Sequence, residues 1–497
     1  MTQQIDFSVP RRQSLLGVVV YFVKNGRALV SALIVLWATA GKFDNGNLYL
    51  TLGLIVFVIL VFTISYLQYR NFTFHIDGDE VVIHHGVIVK EKRIIPFDRI
   101  QSVNLNQNFI QQILQVVGLK IDSAGSQQKE LEISALDERT ARAFQAALQQ
   151  RPVQAGDDST STEPLTAKKT LLLKLDVGDL LKVGLTENHL RSGLLAVAVV
   201  FGYYSQFSEY LEDYMSEYVS TDLTEYIPEI VRMGLILVVT GILIFSLISV
   251  ILSLVRTFLR FFEFRAWLEE DIIGISSGLL KRVEYRIPVS KVQYLIWSTN
   301  PLRKILGFES IVVKQAQPQR AQRKPQQAIA IPACYDKQSR ALENVVFSRE
   351  IDAGSKQFSA NIIPYVLIST YVAIAATLIV LFITAITSAV FWPAVLLIPT
   401  IIFFGYKYGK SVSVDWQEDV LIIHKGWVFP KRYVIPVYKA QSVAFKQSIF
   451  LKRRSLANFV FYTASGKVMV RFLPQELVIN LYNFILYKTE DYKGSWM

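Results

Sequence analysis

This chain has little of what catalytic and metal-binding sites are usually made from. Of its 497 residues, one is cysteine and five are histidine. A lone Cys334 excludes an internal disulfide and any CxxC centre, so it reads as a reduced structural thiol. Five histidines leave little for a metal site, and no cofactor is expected. His84 and His85 are adjacent in a strand-like run, so their side chains point to opposite faces. His424 matches His84 in a repeat described below, but Ser276 stands at that place in another copy, and these histidines read as surface or wall residues. There is no Walker A loop, no GxGxxG opening a βαβ unit, no HExxH and no GxSxG elbow. No nucleophile, base or metal set converges, so the chain is expected not to be an enzyme.

Charge is also missing, over long stretches. Residues 233–255 and 48–66 carry none, and each is long enough to cross a hydrocarbon core of about 30 Å as a helix. Residues 357–406 carry no charge either, which is too long for one crossing. They suit two helices, about 362–384 and 389–406, with Pro393 and Pro399 kinking the second. The weaker stretches 28–41 and 192–208 each precede a strong one and read as first arms of helical pairs; the alternative is a buried or interfacial helix. Six crossings in three pairs are expected. Residues 12–25 read as an interfacial amphipathic helix.

The chain is 52% hydrophobic, has a mean hydropathy of +0.32 and carries a net charge of +11. With so much apolar sequence, anionic lipid and topology explain that charge better than nucleic acid, which is not expected as a partner. Between residues 209 and 229 lie seven acidic residues and no lysine or arginine, which reads as an external loop. Arg11, Arg12, Lys24, Arg27, Arg70, Arg256, Arg260, Lys407 and Lys410 flank the helices. The positive-inside rule puts those flanks, and the soluble parts with them, in the cytoplasm, on one side of a membrane the chain crosses several times.

One pattern occurs three times: HHGVIVKEKRIIPFDRIQSV, SSGLLKRVEYRIPVSKVQYL and HKGWVFPKRYVIPVYKAQSV. In each, a Gly leads a Pro by ten residues and a Gln follows that Pro by five. Each copy follows a long apolar stretch, as in a triplicated unit. Gly86, Gly278 and Gly426 sit between strand-like runs, where only glycine takes positive φ cheaply. Pro96, Pro288 and Pro436 end strands at an edge or bend. Gln101, Gln293 and Gln441 are placed to satisfy backbone groups at a turn. Fold maintenance is the reading for all nine.

Around each signature the chain alternates as short strands and then turns helical, for example at DERTARAFQAALQQ, CYDKQSRALENVVF and QELVINLYNFILYKTE. The expected organisation is an N-terminal segment and first helix pair over 1–70, module one over 71–150 and a linker over 151–190. A second pair follows over 191–260, then module two over 261–350, a third pair over 351–408 and module three over 409–497.

The signature, placed after a helical pair and an opening hairpin, resembles the bacterial pleckstrin-homology-like domain, the DUF304 or bPH2 group. The resemblance covers 71–148, 262–347 and 409–487, and with the helical pairs nearly the whole chain is similar to the three-module YdbT type of membrane protein. It implies PH-like barrels with a C-terminal helix, and no established catalytic set or ligand. The fold class expected is thus a polytopic α-helical membrane protein with three repeated β-rich PH-like barrel modules, each capped by a C-terminal helix.

Past each signature lies a turn that is basic in two copies: STNPLRKILGF and QSIFLKRRSLA, with Ser455 where the former has Gly307. The first copy, QNFIQQILQVVGL, reads as three residues longer to Gly118 and lacks basic residues. Arg303, Lys304, Lys452, Arg453 and Arg454 are therefore candidate contacts for anionic lipid or a protein partner. Arg320, Arg323 and Lys324 form a third basic cluster. The solvated, topology-enforcing face is the competing reading for all of these.

The leading functional expectation is a non-enzymatic inner-membrane scaffold. Its cytoplasmic modules would bind another membrane or envelope protein, anionic lipid or one another, the last including a homo-oligomer, with a role in envelope maintenance. The alternative is a lipid or small-molecule transporter. The strong crossings hold no ionisable residue, which counts against ion-coupled transport.

Overall fold

A computed structural model of the chain describes residues 5–26, 46–123, 131–149, 169–187, 227–316, 329–347, 357–387, 397–417 and 419–492. Repeat one contains β1 (Arg11–Arg12), helix α1 over 17–26, α2 (Gly46–Asn71), β2 (Thr73–Asp77), β3 (Glu80–His85) and β4 (Glu91–Pro96). It continues with β5 (Ile100–Asn108), the short α3 (Phe109–Ile113), β6 (Val116–Ser123), β7 (Leu131–Asp137) and α4 (Glu138–Gln149).

Repeat two follows the same order. It has β8 (Thr170–Lys174), α5 (Val177–Leu185), α6 (Ile227–Phe261), β9 (Arg265–Glu269), β10 (Ile272–Ser277) and β11 (Lys281–Pro288). Then come β12 (Val292–Ser298), α7 (Pro301–Ile305), β13 (Glu309–Gln315), β14 (Ile329–Cys334) and α8 (Asp336–Phe347). Repeat three has β15 (Phe358–Ser359), α9 (Ile363–Thr387), α10 (Leu397–Lys410), β16 (Ser413–Gln417), β17 (Val420–Lys425) and β18 (Lys431–Pro436). It ends with β19 (Ser442–Lys446), α11 (Ile449–Lys452), β20 (Leu456–Thr463), β21 (Gly466–Pro474) and α12 (Gln475–Asp491).

The strands are rich in Val, Ile and aromatic residues, which suit a pleated, half-buried surface. Each repeat folds as two three-stranded meanders facing one another, closed by its last helix. In repeat one, Phe74, Val81 and Ile83 of the first meander meet Val103, Leu119 and Ile133 of the second, and Phe144 of α4 fills the gap between them. Burying such an aromatic fully stabilises by about 2–3 kcal/mol. In repeat two, the Trp297 indole N–H donates to Ser339 Oγ at 2.7 Å and ties the sheet to α8.

The expected barrels do not form. Among the described residues the strands make four antiparallel sheets, in the orders β1-β2-β3-β4, β7-β6-β5-β11-β10-β9-β8, β14-β13-β12-β18-β17-β16-β15 and β19-β20-β21, and none closes on itself. Closure would need the edges of one repeat's two meanders to pair with each other. Those edges go to the neighbouring repeat instead. β5 pairs with β11, setting Asn106 opposite Val283, and β12 pairs with β18, setting Ser298 opposite Lys431. The core of repeat two accordingly continues into Val420, Ile422 and Val434 of repeat three.

The expectation of a polytopic helical assembly is corrected as well. Three helices among the described residues are long and apolar enough to cross a membrane: Thr51–Asn71, Leu243–Phe261 and Ile363–Phe382. Only 11%, 17% and 6% of their most apolar windows is buried within the protein. They therefore share no extensive buried bundle, and most of their large apolar side chains point outward. The expected first arms at 28–41 and 192–208 lie outside the described residues, as do Arg320, Arg323 and Lys324 and most of the acidic loop. Each membrane helix is instead held at one end by its own repeat. In repeat two, Gly184 of α5 lies so close to α6 that an added Cβ would sit 2.7 Å from Leu254 Cδ2.

Candidate functional site: a basic cleft at the ends of the membrane helices

The signature glycines build the loops that reach those helix ends. Gly86, Gly278 and Gly426 have φ of +118°, +111° and +91°. An added Cβ would fall 1.9, 2.1 and 2.5 Å from the carbonyl oxygens of Val89, Lys281 and Phe429, so a side chain is excluded by contact as well as by φ. Each loop then rests on the end of the helix that leads into its strands, α2, α6 or α10. Asn71 Nδ2 donates to the Gly86 carbonyl at 2.9 Å, and the Gly278 N–H donates to the Phe262 carbonyl at 2.9 Å. In repeat three the Trp427 ring lies 5.6 and 5.5 Å from those of Phe403 and Phe404, with Lys407 Nζ 5.7 Å from its centroid. The loops leave Ile88, Val89, Leu280, Trp427 and Phe429 exposed beside the helix ends.

Pro96, Pro288 and Pro436 end β4, β11 and β18, and each opens a single 3-10 turn. The signature glutamines differ among the copies. Gln101 and Gln293 are the extra residues of β-bulges in β5 and β12. The Gln101 side chain lies outside the described residues. Gln293 is 1% exposed and its Oε1 is buried without a hydrogen bond. Gln441 is exposed, just ahead of β19, and its backbone N–H donates to the Tyr462 carbonyl at 2.9 Å.

These turns, basic in repeats two and three, form the short helices α3, α7 and α11. Asn108, Asn300 and Ser448 cap them by accepting from the N–H groups of Gln111, Arg303 and Leu451. Each helix gives way to one left-handed residue: Gln115 (φ 53°), Gly307 (φ 70°) and Ser455 (φ 51°). The counterpart of Gly307 in repeat one is thus Gln115, not Gly118, and the expected three-residue insertion disappears.

The five candidate contact residues separate. Arg303 is 8% exposed; its guanidinium donates to Thr186 Oγ1 (3.2 Å), Ser310 Oγ (2.7 Å) and Glu187 Oε1 (3.1 Å), so it is an internal strut. Lys452, at the end of α11, and Arg453 and Arg454, on the turn after it, stay exposed. Lys304 lines a cleft.

That cleft, about 670 Å³, lies between repeats two and three. Its basic wall is Lys304, Lys410, Lys425, Lys431 and Arg432, opposed by Glu309 and Asp336. Gln357 and Ser359, just ahead of α9, and Lys410 and Ser411, at the end of α10, place its mouth where the chain enters and leaves the apolar helices. Lys425 Nζ donates to the Met469 carbonyl and lies 5.0 Å from the Tyr433 ring centroid. Burial, with Arg471 and Lys431 nearby, depresses its pKa to about 8. Burial and Arg432 also lower the pKa of His424, another wall residue, while burial raises that of Glu309. Arg432 pairs with the buried Glu343.

The first junction is built from different residues. Gln112 stands in the place of Lys304 and bridges to the Leu279 and Leu280 carbonyls at 2.9 and 3.2 Å. Ser276, Ser277 and Glu284 stand in the places of His424, Lys425 and Arg432. Sequence reasoning did not single out Lys425, Lys431 and Arg432 as a site. Their one signal was that Lys425, Lys431 and Arg432 replace Ser277, Val283 and Glu284 at the aligned positions of repeat two. Among the described residues no group of three His, Cys, Asp or Glu side chains is arranged to hold a metal.

Comparison with known proteins places these features. The family described as bacterial PH domain matches the chain three times, over 18–152, 220–348 and 360–489. Each match takes in the apolar helix as well as the strands that follow it. The transmembrane protein YdbT of Bacillus subtilis (strain 168) is 24% identical over 443 residues, which cover 87% of this chain and 86% of that protein.

Proposed function

The chain belongs to the bacterial PH domain family and is a non-enzymatic, membrane-associated protein, and from that premise we propose that its cleft between repeats two and three holds the anionic headgroup of a membrane lipid. The observation that carries this reading is the convergence of Lys304, Lys410, Lys425, Lys431 and Arg432 on one cleft whose walls run into two apolar helices. Several cations at a membrane surface gain attraction that a single exposed one does not, at about 1 kcal/mol per residue. A cleft of this size suits a headgroup with its phosphate. Exposed Trp427 and Phe429 beside it suit the interfacial zone, where aromatic side chains gather. On this reading the soluble repeats lie on the cytoplasmic face of the inner membrane and act as a lipid-reading scaffold.

The test uses full-length protein in nanodiscs of zwitterionic lipid with or without phosphatidylglycerol or cardiolipin, and native mass spectrometry to count retained lipids. Wild type is expected to keep an anionic lipid that the combined Lys410→Gln, Lys425→Gln and Lys431→Gln variant loses. Soluble inorganic phosphate is expected not to displace it. Equal retention in wild type and variant, or no preference for anionic lipid, would overturn the assignment.

A further inference from the structure

The repeats are joined by strands, and the joining rule leaves one unused partner at each end of the chain. β5 and β12 each pair outward with the next repeat's β11 or β18. Their counterpart in repeat three is β19, an edge of its sheet, and the counterpart of β11 and β18 in repeat one is β4, also an edge. Among the described residues no strand covers either. We propose that copies of this chain join head to tail, β19 of one copy pairing antiparallel with β4 of the next in the register of the two internal junctions.

The register follows from the repeat. At both internal junctions the residue five past the signature Gln faces the residue five past the signature Gly: Asn106 faces Val283, and Ser298 faces Lys431. The same rule sets Lys446 opposite Glu91, Phe445 opposite Lys92 and Val443 opposite Ile94. The first pair is of opposite charge and the third is apolar, both favourable across strands. The second repeats the arrangement at the second junction, where Arg432 lies over the ring of Trp297. A one-residue slip would break all three matches.

Exposure agrees with this. Leu105 and Trp297 are 4% and 2% exposed in their junctions, but their counterpart Phe445 is 38% exposed. Ile94 is 47% exposed where its counterpart Val434 is fully buried. Lys452 occupies the place of Gln112, which meets the next repeat's glycine loop, and of Lys304, which lines a cleft with the next one. Across the new junction it meets the loop carrying Ile88, which is 96% exposed. The contact is heterologous, so it generates a ring or an extending row. Membrane helices in every copy hold that row in one plane.

The test co-expresses two differently tagged full-length copies, one with Glu91→Cys and one with Lys446→Cys. Both side chains are exposed, and the native Cys334 is buried. Directly opposed Cα atoms in an antiparallel pair are about 4.5–5.5 Å apart, within disulfide reach. Oxidation in native membranes is expected to give a product carrying both tags, and far less when Ser442→Cys replaces Lys446→Cys. By energy transfer between labelled copies in nanodiscs, Glu91→Lys is expected to weaken association about fivefold, with recovery when Lys446→Glu is added. No double-tagged product, an equal yield from the out-of-register pair, or an adduct of Lys446→Cys with a different protein would overturn the proposal.

Discussion

The Arg432 guanidinium lies 4.4 Å from the ring centroid of Trp297, across the strand pair that joins repeats two and three. The same guanidinium reaches Glu343 on α8, so one side chain binds the sheet, the closing helix and the neighbouring repeat. At the first junction the signs are reversed: Arg142 of α4 reaches Glu284 of β11 at 3.3 Å. Each junction therefore has its own polarity, which disfavours the wrong pairing of repeats.

Arg432→Ala is expected to destabilise the protein by about 2 kcal/mol, because it strands the buried Glu343 carboxylate and uncovers Trp297. Thermal unfolding of the full chain in detergent measures this. Arg432→Lys, which keeps the charge and loses the planar fork, is expected to fall between the two.

Alanine at the signature glycines is expected to rank by crowding. Gly86→Ala and Gly278→Ala, with the closer carbonyl contacts, should lose more than Gly426→Ala, with costs of about 2 kcal/mol or more set by strain at positive φ. Protease susceptibility of the loops beside α2, α6 and α10 reads the order directly. Equal tolerance at all three sites would contradict it.

Cys334 is buried, and burial, reinforced by Glu309, Asp336 and Glu343, pushes its thiol pKa to about 12. The thiolate is the reactive form. Maleimide labelling at pH 8 is therefore expected to fail in folded protein and to go to completion after denaturation.

One buried and one half-buried lysine make stability depend on alkaline pH. Lys439 is 2% exposed and donates to the Ser290 carbonyl at 2.6 Å; burial, with Lys291 nearby, lowers its pKa from 10.5 to about 8. Lys425 is depressed to about 8 as well. Between about pH 8 and 10.5 the unfolded chain keeps protons that the folded one has lost, so stability rises with pH there, by up to about 1.4 kcal/mol per pH unit for each lysine. Below pH 8 both forms are protonated and the gain is absent. The melting temperature of the full chain at pH 7.5 and 9.5 tests this, and Lys439→Met should keep only the share due to Lys425. Headgroup binding should move the other way, falling above pH 8 as Lys425 becomes neutral.

The amino-acid sequence by itself determined the repeat, the apolar helices and the family. These are local or periodic properties: an uncharged run long enough to cross a membrane, and a Gly, Pro and Gln at fixed spacing whose glycine position admits no Cβ. Tertiary structure alone decided where each strand edge goes, and so replaced three expected barrels with sheets shared between repeats. A strand such as β5 reads the same whether its edge pairs with its own repeat or with β11, because period-two alternation specifies faces and not neighbours. The same limit hid the cleft. Lys304 and Lys425 are 121 positions apart in the chain, and only the β12–β18 pairing brings them together. It also hid the surroundings of Arg303, whose charge was legible but whose buried partners Thr186 and Ser310 were supplied by folding.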